Sequence, residues 1–221
     1  VTRIACLHTA DSNAAVFDEA LVTAGLTGVS LHHAVRADLL AAAERQGRLT
    51  PEIAAETVAL LRGLSAGAGA VLLTCSTLGP AADDAALDSP VPVLRVDAAL
   101  AAEAVEAGGR VVVLCAVETT VGPTRRLFED AARATGATID VRVVPQAWAA
   151  FKAGDRDRYH ARVAEAADAA WAAGATRVAL AQASMTGAAA RLPADRRPLT
   201  SPAVGLAAAA SRARTVPPKG P

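Results

Sequence analysis

The chain is expected to fold as an α/β protein made of two similar halves with mostly parallel sheets. Three observations point there. Short β-branched runs alternate with longer Ala-rich stretches of helical spacing. Glycines stand where those helical stretches should stop. The sequence also matches itself at an offset of 107 residues.

Residues 4–7, 71–73, 93–96, 111–114, 141–144 and 178–180 are the β-branched and aliphatic runs and read as buried strands. Residues 14–25, 34–46, 51–66, 97–107, 121–135 and 155–173 lie between them and read as helices. Gly25, Gly47, Gly108, Gly136 and Gly174 follow five of these helical runs, as C-terminal caps would. Thr50 before Pro51 is a capping residue followed by a proline suited to a first turn. Strand–helix alternation of this kind predicts parallel strands covered on both faces. The chain from about Ser211 loses periodicity, and 214–221 is expected to be a disordered tail.

The offset lays Arg3-Ile4-Ala5-Cys6-Leu7 on Arg110-Val111-Val112-Val113-Leu114. It also lays Gly67-Ala68-Gly69-Ala70-Val71-Leu72-Leu73 on Gly174-Ala175-Thr176-Arg177-Val178-Ala179-Leu180. Two distant blocks sharing one offset predict a duplicated unit. The expected halves are 1–97, completed by about 200–213, and 98–199, related by a pseudo-two-fold axis with an active-site cleft between them.

Composition narrows the function. Lys and Arg total 22 and Asp and Glu total 22, so the formal net charge is zero. Phosphate backbones need a basic field, and stacked bases need aromatics, which make up 3% of this chain. Nucleic acid is therefore not an expected partner. No apolar run reaches the roughly 20 residues that a membrane-spanning helix requires. Three cysteines fit neither a closed disulfide set nor a zinc spacing, so a reducing cytoplasm is expected and no metal ligand set is evident. Only two lysines occur, Lys152 and Lys219, and neither is placed for a Schiff base with pyridoxal phosphate. Dinucleotide and phosphate-loop signatures are missing as well, leaving chemistry that uses no cofactor. Ala-rich helices pack closely and are compatible with a homodimer.

Ligands of parallel α/β sheets bind beyond the carboxyl ends of the strands. That rule selects four segments: 8–13 and 74–79 in the first half, 115–120 and 181–186 in the second. All are rich in small hydroxyl side chains next to helix starts, a lining suited to a small carboxylate. Cys75 ends a strand among Thr74, Ser76 and Thr77, with Gly79-Pro80 opening the next helix, where a thiolate is favoured. An inert buried thiol is the alternative for Cys75 and the preferred reading for Cys6 and Cys115. His8 ends the first strand and has the acid–base range for proton transfer, though a histidine bonded under a loop reads equally well. His32 and His33 are adjacent and on a strand would point apart, so together they cannot chelate one ion. His160 is expected at the surface.

The two-half plan, with Thr74-Cys75-Ser76-Thr77 after a strand and a matching loop 107 residues on, resembles the aspartate/glutamate racemase superfamily. Hydantoin racemases, maleate isomerases and arylmalonate decarboxylases belong to the same group. The resemblance extends to about residue 210; His32-His33-Ala34-Val35 and Leu180-Ala181-Gln182-Ala183-Ser184-Met185 look like a little-characterised branch. It implies catalysis without a cofactor, in which two cysteines flank an acidic carbon, one removing a proton and the other returning one. It also implies substrate contacts from Thr9, Asn13, Ser76, Thr77, Thr119 and Thr120, with Gln182 and Ser184 beside them in the fourth loop.

One position departs from that pattern. Cys75 matches the first cysteine, but the offset places Gln182 at the second, and the second loop holds no thiol. Gln is neither acid nor base near neutral pH, so two-thiol racemisation is not available. The expected activity is a racemase or epimerase using Cys75, with His8 as the further catalytic group, on a small amino-acid or hydantoin-type acid. One-sided decarboxylation or isomerisation is the alternative, and a silent carboxylate binder is a third.

Overall fold

The computed structural model describes residues 1–215. The chain divides into two compact units, Val1–Val96 with the chain from Pro202 onward, and Asp97–Ser201. In the first, the elements are β1 (Thr2–His8), α1 (Ser12–Thr23), β2 (Val29–Val35), α2 (Ala37–Gln46), α3 (Pro51–Leu64), β3 (Ala70–Leu73), α4 (Pro80–Asp88) and β4 (Val93–Arg95). Helix α5 (Val96–Val105) leads into the second unit. There β5 (Arg110–Cys115), α6 (Glu118–Ala132), β6 (Thr138–Val143), α7 (Ala147–Lys152), α8 (Arg156–Ala172), β7 (Arg177–Leu180) and β8 (Leu199–Thr200) follow. Two 3₁₀ segments, Ala183–Arg191 and Ala194–Arg196, separate β7 from β8, and α9 (Ser201–Thr215) completes the first unit.

Each unit has a four-stranded, all-parallel sheet, in the order β2-β1-β3-β4 and β6-β5-β7-β8. The pairing of the central strands repeats as well: Ile4 lies opposite Ala70 in one sheet and Val111 opposite Arg177 in the other. The second pair stands at the 107-residue offset from the first, Val111 from Ile4 and Arg177 from Ala70. In a strand, successive side chains face opposite sides. Val112, Leu114, Val178 and Leu180 accordingly join one core cluster, while Val111, Val113 and Ala179 join another on the opposite face. Helices therefore cover both faces of this sheet, as a parallel sheet requires.

Several local expectations are met by the chain's own chemistry. Thr50 Oγ1 accepts the Ile53 N–H at 3.4 Å, with Pro51 in the first turn of α3. Gly47 ends α2 with φ 67°, a left-handed conformation that costs glycine little. Gly25, Gly108, Gly136 and Gly174 also have positive φ.

Other elements differ from the sequence reading. Ala34 and Val35, expected to begin a helix, instead end β2, because β1 supplies a ladder of partners through His8–Val35. Val96 starts α5 rather than ending a strand. Residues 211–215, where periodicity fades, form the last turns of α9. The rest of the expected tail, 216–221, lies outside the described residues. No helix among the described residues is long and apolar enough to cross a membrane.

Candidate active site

In the first unit, β1 and β3 are neighbours, so parallel pairing brings their carboxyl ends side by side. The chain after β1 turns through Thr9 to Asp11 into α1, with Asn13 N–H donating to Ala10 C=O at 3.1 Å. Thr9 and Asn13 are buried there. Asn13 Oδ1 and Ser12 Oγ have no hydrogen-bond partner among the described residues. A buried acceptor without a donor is costly, so Asn13 offers an oxygen suited to a ligand N–H or O–H.

After β3, Thr74 stays tied to the sheet through its N–H, which donates to Leu7 C=O at 3.0 Å. Cys75 follows, then a turn over 76–79 closed by Gly79 N–H to Ser76 C=O at 3.2 Å, and then α4. Ser76 and Thr77 are buried beside Cys75 in sequence. All three thiols are buried, but Cys75 keeps 9% of its surface, whereas Cys6 and Cys115 keep 0%. Burial pushes the Cys6 and Cys115 thiols up to about 12, which leaves both protonated at neutral pH.

His8 is fully buried and engaged through both ring nitrogens. Its Nδ1 lies 2.8 Å from Thr74 Oγ1 and its Nε2 lies 2.8 Å from His33 Nδ1. His33 Nε2 in turn donates to Asp18 Oδ1 at 3.2 Å. Phe17 packs on the His8 ring with centroids 5.2 Å apart. Burial above all, with His33 adding to it and Asp18 opposing, lowers the His8 pKa to about 4. A ring so enclosed suits a positioning residue that holds Thr74, one residue before Cys75.

Asp18 carries no signal in the sequence, and His33 stands out there only as one of two adjacent histidines. The parallel register, which sets His33 opposite Cys6, is what brings them to His8. Arg95 was equally hidden. It ends β4 as a buried arginine, its guanidinium lies against Gly79, and Nη1 donates to Asp83 at 3.2 Å. A methyl group on Gly79 would overlap that guanidinium.

In the second unit, Gln182 follows β7, and its Oε1 accepts two backbone N–H groups, Ala116 at 2.6 Å and Val117 at 3.1 Å. The side chain thus ties the loop after β7 to the loop after β5. Thr119 and Thr120 lie in the first turn of α6, Thr120 buried, with its N–H donating to Val117 C=O at 3.1 Å. Ser184 Oγ lies 2.8 Å from the Tyr159 hydroxyl. His160, expected at the surface, is part-buried, and its Nε2 donates to the Ser184 carbonyl at 3.1 Å. Ser184 is thus braced by α8, through its hydroxyl by Tyr159 and through its carbonyl by His160.

Comparison with known proteins agrees with this architecture. The profile of the Asp/Glu/Hydantoin racemase family matches residues 19–210. Among solved structures, aspartate racemase from Picrophilus torridus superposes with a TM-score of 0.70 at 13% identity, covering 97% of this chain and 95% of that one. Allantoin racemase from Klebsiella pneumoniae gives 0.63 at 16% identity, covering 97% and 87%. Glutamate racemase from Thermus thermophilus, in complex with β-chloro-D-alanine, gives 0.60 at 15% identity, covering 99% and 84%. At these identities the likeness is one of fold. No curated protein matches the chain in sequence.

Proposed function

Since the chain belongs to the Asp/Glu/Hydantoin racemase family, we propose that it is a racemase-type isomerase in which Cys75 exchanges a proton at the carbon beside a small acid's carboxylate. Family membership supports the isomerase class; the thiol, the substrate class and the working of the site without a cofactor are the proposal. The observation that carries it is the contrast among the cysteines. Cys75 retains surface at the carboxyl end of β3, while Cys6 and Cys115 are sealed and held protonated.

The Cys75 thiolate removes the proton from the acidic carbon, and charge develops on the carboxylate as an enolate. Hydroxyls of Thr9, Ser76 and Thr77 are suited to hold that charge. Asn13 Oδ1, buried without a partner, is suited to accept a hydrogen bond from the substrate's amino or ring N–H. This supports amino acids or hydantoins over unsubstituted acids. His8 acts through Thr74, fixing the strand end from which Cys75 projects. Thr119, Thr120, Gln182 and Ser184 serve by shaping the corresponding loops of the second unit.

A second reading rests on Gln182. Its carbonyl oxygen is occupied by two backbone N–H groups, and an amide is no acid, so proton exchange from the Cys75 side alone is favoured. That restricts the reaction to one-sided protonation, as in a decarboxylase, unless a non-thiol group serves the other face. Incubation in deuterated water with a panel of amino acids, hydantoins and malonates separates the two. Label with loss of optical activity supports racemisation; label with carbon dioxide release supports decarboxylation. An unlabelled panel contradicts both.

A further inference from the structure

The contacts of His8 and His33 allow an arrangement in which two ring nitrogens present lone pairs to one another. Thr74 Oγ1 lies 3.1 Å from Leu7 C=O and 2.8 Å from His8 Nδ1; in the arrangement where its proton goes to Leu7 C=O, the His8 ring donates to it. Asp18 carboxylate can only accept, so His33 Nε2 also carries a proton. Both outer ring nitrogens are then protonated. The inner pair, His8 Nε2 and His33 Nδ1, face one another 2.8 Å apart as lone pairs. Two lone pairs at that distance repel unless a proton or a cation lies between them.

A third donor stands at the same place. Cys6 is two residues before His8 on the same face of β1 and directly opposite His33 on β2. Cys6, His8 and His33 each bring one donor atom to within 4.8 Å of the other two. Each imidazole already has an outer partner of the kind that orients a metal-bound histidine, a carboxylate for His33 and a hydroxyl for His8.

We propose that Cys6, His8 and His33 form a binding site for a first-row divalent cation of the zinc type, largely buried, next to Thr74 and distinct from the thiol chemistry of Cys75. One thiolate and two neutral imidazoles are a zinc-type donor set, with a fourth position left for water. Zn–N lengths of about 2.05 Å at a tetrahedral angle set the two nitrogens roughly 3.3 Å apart, so the rings part by about 0.5 Å on loading. On binding, the Cys6 S–H bond breaks, its proton passes to the buffer, and the sulfur pair forms the metal–sulfur bond. Any proton shared by the two rings leaves with it. The ion would pin the carboxyl ends of β1 and β2 and keep His8 aimed at Thr74.

The test is titration of the full chain, stripped with a chelator, with Co²⁺. One equivalent should bind and produce a thiolate-to-cobalt charge-transfer band, which Zn²⁺ then abolishes by displacement. Cys6→Ser should remove the band, His33→Asn should weaken binding at least tenfold, and Cys75→Ala should leave both unchanged. Asp18 is 63% exposed, so Asp18→Ala should fold normally and still lower Co²⁺ affinity by about 10–100-fold through loss of the outer partner. A missing thiolate band, a band that persists in Cys6→Ser or vanishes in Cys75→Ala, or unchanged affinity in Asp18→Ala overturns the proposal. None of these readouts depends on the activity of Cys75.

Discussion

The side-chain oxygen of Gln182 accepts the backbone N–H of Ala116 at 2.6 Å, and that of Val117 at 3.1 Å. The position where the family resemblance implies a second cysteine thus holds a residue that braces two loop ends. Removing the brace leaves two N–H groups near the sheet end without their acceptor. Gln182→Ala should therefore lower unfolding free energy by about 1–3 kcal/mol, read from urea midpoints with an unchanged slope. A loss below about 0.5 kcal/mol would show that water replaces the amide at no cost.

Arg95 and Gly79 make a second steric pair. Gly79→Ala places a methyl group on the guanidinium and should destabilise the first unit by about 1–3 kcal/mol. Combined with Arg95→Ala, the clash disappears, so the double variant should be more stable than the sum of the single losses predicts by about 1 kcal/mol or more. Strict additivity would mean that Arg95 simply swings aside.

Thiol chemistry should sort the cysteines by burial. With an aromatic disulfide reagent, the native protein should release one equivalent rapidly, from Cys75, and the unfolded chain three, the number in the sequence. Cys75→Ala should abolish the fast phase. Fast reaction at Cys6 or Cys115 would contradict their enclosure and the thiol values near 12.

Acid should weaken the fold through His8. Its ordinary value of 6.5 falls to about 4 in the folded protein, so the unfolded chain binds more protons between those limits. Stability is fully present above pH 6.5 and is lost as pH drops toward 4, by about 3 kcal/mol in all. Denaturation midpoints from pH 7 to 4 should show this slope, and His8→Gln should flatten it. An identical slope in the variant would assign the acid sensitivity to other groups.

Much of this arrangement was legible in the sequence because it rests on local chemistry and on the repeat. The 107-residue offset located β1, β3, β5 and β7, all strongly apolar and central in their sheets. Strand β2 escaped notice because it is an edge strand whose residues are half-buried at most, leaving no apolar signature. Missing β2 also hid the His33 contact with His8, which exists only through pairing across the sheet. The 3₁₀ segment after β7 and the brace formed by Gln182 depend on bonds between distant residues, which no spacing rule records. The loop 74–79 was visible for the opposite reason: its strand, thiol, hydroxyls and Gly-Pro helix start are consecutive in the chain.

The most direct measurement is solvent deuterium incorporation into a substrate panel by the purified chain and by Cys75→Ala. Label should enter at the carbon beside the carboxylate of at least one amino acid, hydantoin or malonate, and fall at least a thousandfold in the variant while its fold is retained. Exchange that continues undiminished without the Cys75 sulfur would contradict the account.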